Sequence, residues 1–297
     1  MGATRGQFSQ LLAPAVYAVL YDDLQQHVEV YPQIFTVLPS TRAYEEDQII
    51  AGLGNVPLKL EGEPIAFDQP IQGASVRYQH DSFALGFQVT KEMWDDDQYG
   101  IMKRVSQDFG RGIRATLEGR YANVINNGFT TVITADGVSL FNTAHPLLGG
   151  GNYSNRSATD IALSVTGIQE GLLSFDKMVN ERSQLVMVEP RTLWIHPDNQ
   201  FVASEILHSA YDPYTGNNTV NTVQGRLEPR INRYFSSASA WFVFGDKTDH
   251  SLKGYWRTQP EFDSKDDFDT KGSAFSTFFR FSAGVTDWKA TWGSQGA

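Results

Sequence analysis

Between Ala51 and Gly73 the chain places Gly52, Gly54, Pro57, Gly62, Pro64, Pro70 and Gly73 around an alternating Val56, Leu58 and Leu60. Glycine and proline break such a stretch into turns joined by short extended runs, so it reads as an extended hairpin or long loop. A segment of this kind finds no core of its own inside a compact monomer. Two arrangements satisfy it: a disordered insertion, or a projecting arm that pairs with a neighbouring subunit. The rest of the 297 residues can fold, because at 41% hydrophobic and 20% charged the chain has enough apolar surface to offset the entropy lost on ordering. That length suits one elaborate domain or two smaller ones. Cysteine is absent, which excludes disulfides, thiolate nucleophiles, zinc ribbons and iron–sulfur clusters and fits a cytosolic site of synthesis. A formal charge of −10 excludes a freestanding nucleic-acid binder that works by bulk attraction to phosphate.

Ahead of the loop, residues 7 to 27 carry Leu11, Leu12, Ala15, Val16, Val19 and Leu20 near the helical period, predicting a helical arm that requires a docking surface. Pro14 interrupts its apolar run and Asp22-Asp23 ends it, so it is neither a secretory signal nor a membrane anchor. Behind the loop, Phe83, Leu85, Phe87 and Val89 alternate with small or polar residues, the period of a half-buried strand. The longest helical pattern follows, from Gln98 to Asn127, with Ile101, Met102, Val105, Phe109, Ile113, Leu117 and Val124 on one face. Lys103, Arg104, Arg111 and Arg114 share an arc away from that face. That arc is a solvated surface or a local contact for phosphates or for acidic patches on a neighbour. Gly110, Gly112 and Gly119 lie inside the helix, each costing about 1 kcal/mol against alanine, a loss that closely approaching backbone or a bend would accommodate. Farther on, Ser164 to Asn180 reads as a helix, Gln184 to Glu189 and Arg191 to Ile195 as strands split by Pro190, and Pro197 to Leu207 as a helix. Strands are expected at Arg230 to Tyr234 and Ala240 to Gly245, then an acidic break at Asp263 to Asp269, then closing antiparallel strands at Phe275 to Ser282 and Val285 to Trp292. The fold class is α+β.

Catalytic motifs fail on inspection. Gly110-Arg-Gly112-Ile-Arg-Ala115 matches a loose dinucleotide fingerprint but sits inside a helix, where the glycines cannot form the required strand-to-helix turn. In the calcium-like Asp267-x-Asp269-x-Lys271-Gly272, lysine replaces a ligand and Phe278 stands where the bidentate glutamate belongs. The histidines, His27, His80, His145, His196, His208 and His250, are widely separated, with none at helical ligand spacing. No cofactor or metal is therefore expected. His145 is a candidate catalytic group or a turn residue bonded to backbone ahead of Pro146. Asp95, Asp96 and Asp97 are read as capping for the long helix. The sequons at Asn152, Asn155 and Asn217 are read as chance matches in polar loops.

The order of parts, with Asp136-Gly-Val-Ser-Leu-Phe-Asn-Thr-Ala-His-Pro146 in the middle, resembles a tailed-phage major capsid protein of the Hong Kong 97 fold. The motif residues Asp136, Gly137, Leu140, Phe141, His145 and Pro146 are similar to a Mu-like major head subunit. The resemblance implies an N-terminal arm over 1–44, an extended E-loop over 45–82, a P-domain over 83–154 with the spine helix at about 98–127, an A-domain over 155–258, and a return to the P-domain over 259–297. It implies a non-enzymatic shell of pentamers and hexamers around double-stranded DNA, made in the host cytoplasm and located in the virion. Scaffold, portal and decoration proteins are the implied partners, and Lys103, Arg104, Arg111 and Arg114 would face the packaged DNA. Some relatives crosslink covalently; Lys59 is a conceivable donor, but no acceptor is identifiable. The rivals are an encapsulin-type compartment, a hydrolase with a site around His145, and a virion decoration or tail protein.

Overall fold

A computed structural model describes residues 28–96, 101–213, 219–267, 269 and 272–296, except the side chains of 94, 95 and 101–103. The arm expected over 7–27, the first residues of the long helix, Asp97 and the sequon at Asn217 lie outside that set. The first half runs α1 Tyr31–Ile34, β1 Thr36–Pro39, β2 Tyr44–Ala51, β3 Ile71–Gln79, β4 Asp81–Val89, α2 Lys91–Asp95 and α3 Ile101–Asn126. The second half runs β5 His145–Pro146, β6 Asn152–Tyr153, α4 Val165–Asp176, β7 Thr192–Ile195, α5 Gln200–His208, β8 Glu228–Ile231, β9 Trp241–Phe244, β10 Leu252–Asp266, β11 Ser273–Val285 and β12 Thr291–Ser294.

Two four-stranded sheets carry the core. The first has the order β1-β10-β11-β4, with β1 parallel to β10 and the other pairs antiparallel. Period-two patterning puts Phe83 and Phe87 of β4 beside Phe279 and Phe275 of β11, stacked at centroid distances of 5.4 and 5.2 Å. Each such ring pair adds about 0.5–1.5 kcal/mol beyond the area it buries. Helix α3 lies on this aromatic face through Phe109, Ile113, Leu117 and Tyr121, all buried. Phe109 meets Phe87 edge-on, and Tyr121 stacks on both Phe281 and Tyr31. A β-carbon at Gly254 of β10 would stand 2.6 Å from Tyr121 Cε1, so glycine is what admits the tyrosine there.

Of the two accommodations expected for the glycines inside the helix, closely approaching backbone is absent at Gly112 and Gly119. A β-carbon at Gly112 meets open space, and one at Gly119 comes only within 3.9 Å of Tyr234 Cδ1, so neither is there for a closely approaching backbone. The apolar face, extended by Tyr121, Ala122 and Ile125, holds the helix.

The second sheet has the order β12-β9-β7-β8. Trp241 to Phe244 are buried on both faces, Trp241 against Trp292 at 4.7 Å. Helix α4 packs beside it, capped by Ser164, whose hydroxyl accepts from Gly167 N at 3.1 Å. Between the sheets His250 is buried, edge-on to Phe244, and its Nδ1 accepts from Leu252 N at 3.4 Å. Burial pushes its pKa down to about 4.

Four expectations are corrected. Gln184 to Glu189 forms no strand: among the described residues its pairing is an isolated bridge between Val179 and Leu185. The strand expected at Arg230 to Tyr234 is β8, which begins at Glu228 and ends at Ile231. The acidic stretch from Asp263 does not break the chain: residues through Asp266 pair with β11 as the outer half of β10. Val285 to Trp292 is not one strand. It turns at Ala290, with φ of 59°, and residues 291–294 join the second sheet against β9.

Candidate assembly surface

Strands β2 and β3 form an antiparallel hairpin, from Tyr44 opposite Gln79 to Ala51 opposite Ile71. Its root is pinned by a polar chain. Tyr78 and Thr286 hydroxyls hydrogen-bond at 2.6 Å, Thr286 donates to Asp47 at 2.6 Å, and Lys253 Nζ lies 2.5 Å from the same carboxylate oxygen. Burial works against the charged Asp47, but the lysine and threonine outweigh it and hold the carboxyl below its ordinary value. Beyond the strands the tip is bare: Val56 is 94% exposed, Leu58 87%, Ile65 68% and Phe67 95%. A row of apolar side chains this exposed marks an interaction surface.

Among the described residues the tip is hydrogen-bonded to its own chain at the turn Asn180–Gln184. Arg182 Nη1 lies 2.6 Å from Asp68 Oδ2, Arg182 Nη2 donates to Gln69 O at 2.5 Å, and Gln184 Nε2 donates to Asn55 Oδ1 at 2.7 Å. Asp68 also accepts from Gly54 N at 2.7 Å, tying the two legs of the tip together. These backbone bonds, with Arg182, hold the Asp68 carboxyl below its ordinary value. Next in sequence, Glu181 turns inward to Lys289 at 2.6 Å, and Lys289 also meets Asp287 at 2.6 Å.

The segment from Asp136 to Pro146 is a buried knot. Gly137, at φ of 86°, closes a turn in which its N–H donates to Thr134 O at 3.0 Å. Leu140 and Phe141 are fully buried, Phe141 between Phe129 and Phe242. Pro146 is exposed, opposite Asn152 in the short β5–β6 pair. His145 has no exposed surface: Nδ1 lies 2.6 Å from Asp136 Oδ2, Nε2 3.0 Å from Asn155 Oδ1, and the ring stacks on Trp288 at 4.8 Å. Asn155 Oδ1 accepts from Asn142 N and its amide donates to Leu140 O, which fixes its orientation. Both ring nitrogens of His145 therefore face acceptors. Burial raises Asp136, but bonds from His145 and Thr134 outweigh it and hold its carboxyl below the ordinary value. No substrate reaches such a histidine, and the group is a structural lock. Asn155, one of the sequons, is buried within it. Sequence reasoning missed Asn155 and Trp288 as its partners; an asparagine following a short turn was the available signal for the first, and Trp288 had none.

Of the predicted helix cations, the Lys103 side chain lies outside the described set, Arg104 and Arg111 are exposed, and Arg114 is half-buried. Arg111 pairs with Asp108 at 3.1 Å within the helix. Arg120, absent from that prediction, pairs with Asp81 and lies over the Phe83 ring at 5.4 Å. Glu118 is buried and accepts from Val30 N and Tyr31 N, fastening the start of α1 to the long helix; burial raises its pKa. Among the described residues no group of three or more histidines and carboxylates is placed to hold a metal, and no helix is long and apolar enough to cross a membrane.

A family model described as phage capsid protein matches residues 73–293. The chain belongs to the phage capsid protein family. As a major capsid protein it forms the head shell, a structural and non-enzymatic role that agrees with the sealed His145. Solved structures carry the same fold at low identity. The cyanophage P-SCSP1u capsid is 10% identical with a TM-score of 0.63, covering 91% of this chain and 88% of that one. The mature capsid of bacteriophage PhiM1 is 10% identical at 0.56, covering 90% and 87%. A virus-like particle from Pyrococcus furiosus is 12% identical at 0.55, covering 94% and 97%. No curated protein matches. The capsid protein thus has the α+β, Hong Kong 97-like fold, with self-assembled shells among its structural neighbours.

Proposed function

We propose that the capsid protein builds its shell by laying the β2–β3 hairpin, as an E-loop, across a neighbouring copy in pentamers and hexamers, with α3 as the spine helix and Arg104, Arg111 and Arg114 turned toward packaged double-stranded DNA. The observation that carries this is the bare apolar tip. Val56, Leu58, Leu60, Ile65 and Phe67 are unburied in the single chain, and covering each contributes about 1.5–3 kcal/mol. Small contacts of this kind, repeated around a closed shell, add through multivalency. The arm over 1–44, the E-loop over 45–82, the P-domain over 83–154 and 259–297 and the A-domain over 155–258 belong to the same reading. So do Lys103 as a fourth interior cation, assembly in the host cytoplasm, and scaffold, portal and decoration partners. Local cations suffice for the interior, since a container does not have to bind DNA tightly and surplus acidity elsewhere limits non-specific sticking.

The test replaces residues 56–67 by a short Gly-Ser turn and follows particle formation by sedimentation and electron microscopy. Subunits that stay folded and soluble but no longer close into shells are the expected result. Shells formed at wild-type yield would sink the E-loop reading. Changing Arg104, Arg111 and Arg114 to glutamine should leave empty shells intact and lower the nuclease-protected DNA per particle.

A further inference from the structure

We infer that the Asn180–Gln184 turn is a clamp that sets the direction of the hairpin tip before a second copy of the chain engages it. This rests on the assembly role proposed for the tip. The geometry is two-sided. Asp68 holds both legs of the tip, accepting from Gly54 N at 2.7 Å and from Gln69 N at 2.8 Å. Arg182 grips that staple through Asp68 and the Gln69 carbonyl, and Gln184 takes Asn55 on the other leg. The grip has a rigid base. Asn180 Oδ1 accepts from both Arg182 N at 2.9 Å and Gln184 N at 3.0 Å, and Ser183 sits at φ of 59°, so the turn has one shape. Glu181 bolts that turn to the body through Lys289 and through Leu148 N at 3.2 Å. The Arg182 side chain is 17% exposed and Asp68 is 48% exposed, so the grip is set by its several hydrogen bonds more than by the charge pair alone. The contacts lie at residues 54–55 and 68–69, below the apolar tip, so the clamp leaves residues 56–67 uncovered while fixing where they point.

The measurement is hydrogen exchange at the Gly54 and Gln69 amides in unassembled subunits, with shell assembly followed separately by light scattering. Arg182→Ala should speed exchange at both amides about tenfold, the factor for loss of roughly one charge-assisted hydrogen bond. It should also slow assembly or broaden the particle diameters. Arg182→Lys, which keeps the charge but cannot span Asp68 and the Gln69 carbonyl together, should fall between. A double-mutant cycle with Asp68→Ala should give less than additive effects. Unchanged exchange in Arg182→Ala and Arg182→Lys overturns the clamp, whatever the shells do. Faster exchange with wild-type assembly overturns its role in presenting the tip. Failure of the tip itself shows up in the loop replacement above, so the two failures are distinguishable.

Discussion

Acidification should weaken the subunit through His250. The ring is buried beside Phe244 between the two sheets, and its Nδ1 accepts a backbone N–H, a bond that protonation destroys. Burial lowers the pKa from 6.5 to about 4 in the folded chain. A lowered histidine works in one direction. Below pH 6.5 the unfolded chain takes up a proton that the folded chain refuses, so stability falls with pH until the folded pKa is reached and then levels off. One unit is worth 1.36 kcal/mol, so the full loss is about 3 kcal/mol, of which about 2 kcal/mol is gone by pH 5. Urea unfolding of unassembled subunits, followed by tryptophan fluorescence at pH 7 and pH 5, reads this out. Other groups titrate in the same window, including Glu118 with its raised value, so the informative quantity is the difference between wild type and His250→Asn, whose side-chain oxygen stands near the Nδ1 position. Wild type should lose about 2 kcal/mol more than the variant between those pH values. Equal losses would mean that the ring is reached by water and the argument fails.

Two further substitutions probe the core. His145→Ala leaves the Asp136 carboxylate buried without its main partner and should cost about 3–5 kcal/mol, read as a lower melting temperature in calorimetry. It should also change the acid limb: the depressed Asp136 contributes stability that is present above the ordinary carboxylate value and lost as pH falls through the depressed one, and without His145 that loss begins at higher pH. An unchanged melting temperature would mean that the knot is not a lock. Gly254→Ala forces a β-carbon into the Tyr121 ring and should cost about 1–3 kcal/mol, partly recovered by Tyr121→Leu in the same chain. A melting curve matching wild type would show that the close approach is absent.

The elements legible in the sequence are those whose periodicity is self-contained. Strand β4 and helix α3 announce themselves because their partners all lie on one face, and the hairpin tip because glycine and proline leave it little else to be. Strand β10 was hidden by Asp263, Lys265 and Asp266, which look like a break until β11 pairs with them; a long hairpin with one wet end tolerates charge there. Residues 184–189 show the opposite error, since Leu185 and Met187 alternate as in a strand yet find no ladder. At the knot, Asp136 and His145 stood out by type and proximity, but their role depended on Asn155 and on Trp288, which arrives from the far end of the chain. Whether a histidine is accessible is a tertiary fact, and the same letters suit a hydrolase or a lock.

The pairing of β12 with β9 has a consequence for how the subunit comes into being. Residues 291–294 complete one sheet only after the chain has passed through the β10–β11 hairpin, which belongs to the other sheet, and that other sheet in turn takes strands from 36–39 and 81–89. Each layer is interrupted by the other, so neither is a module that could be cut out, transplanted or folded first. Closing such long-range pairings is slow and exposes unpaired edges. Through that interval the apolar tip is bare as well, so unpaired strand edges and exposed apolar side chains are open to aggregation at the same time.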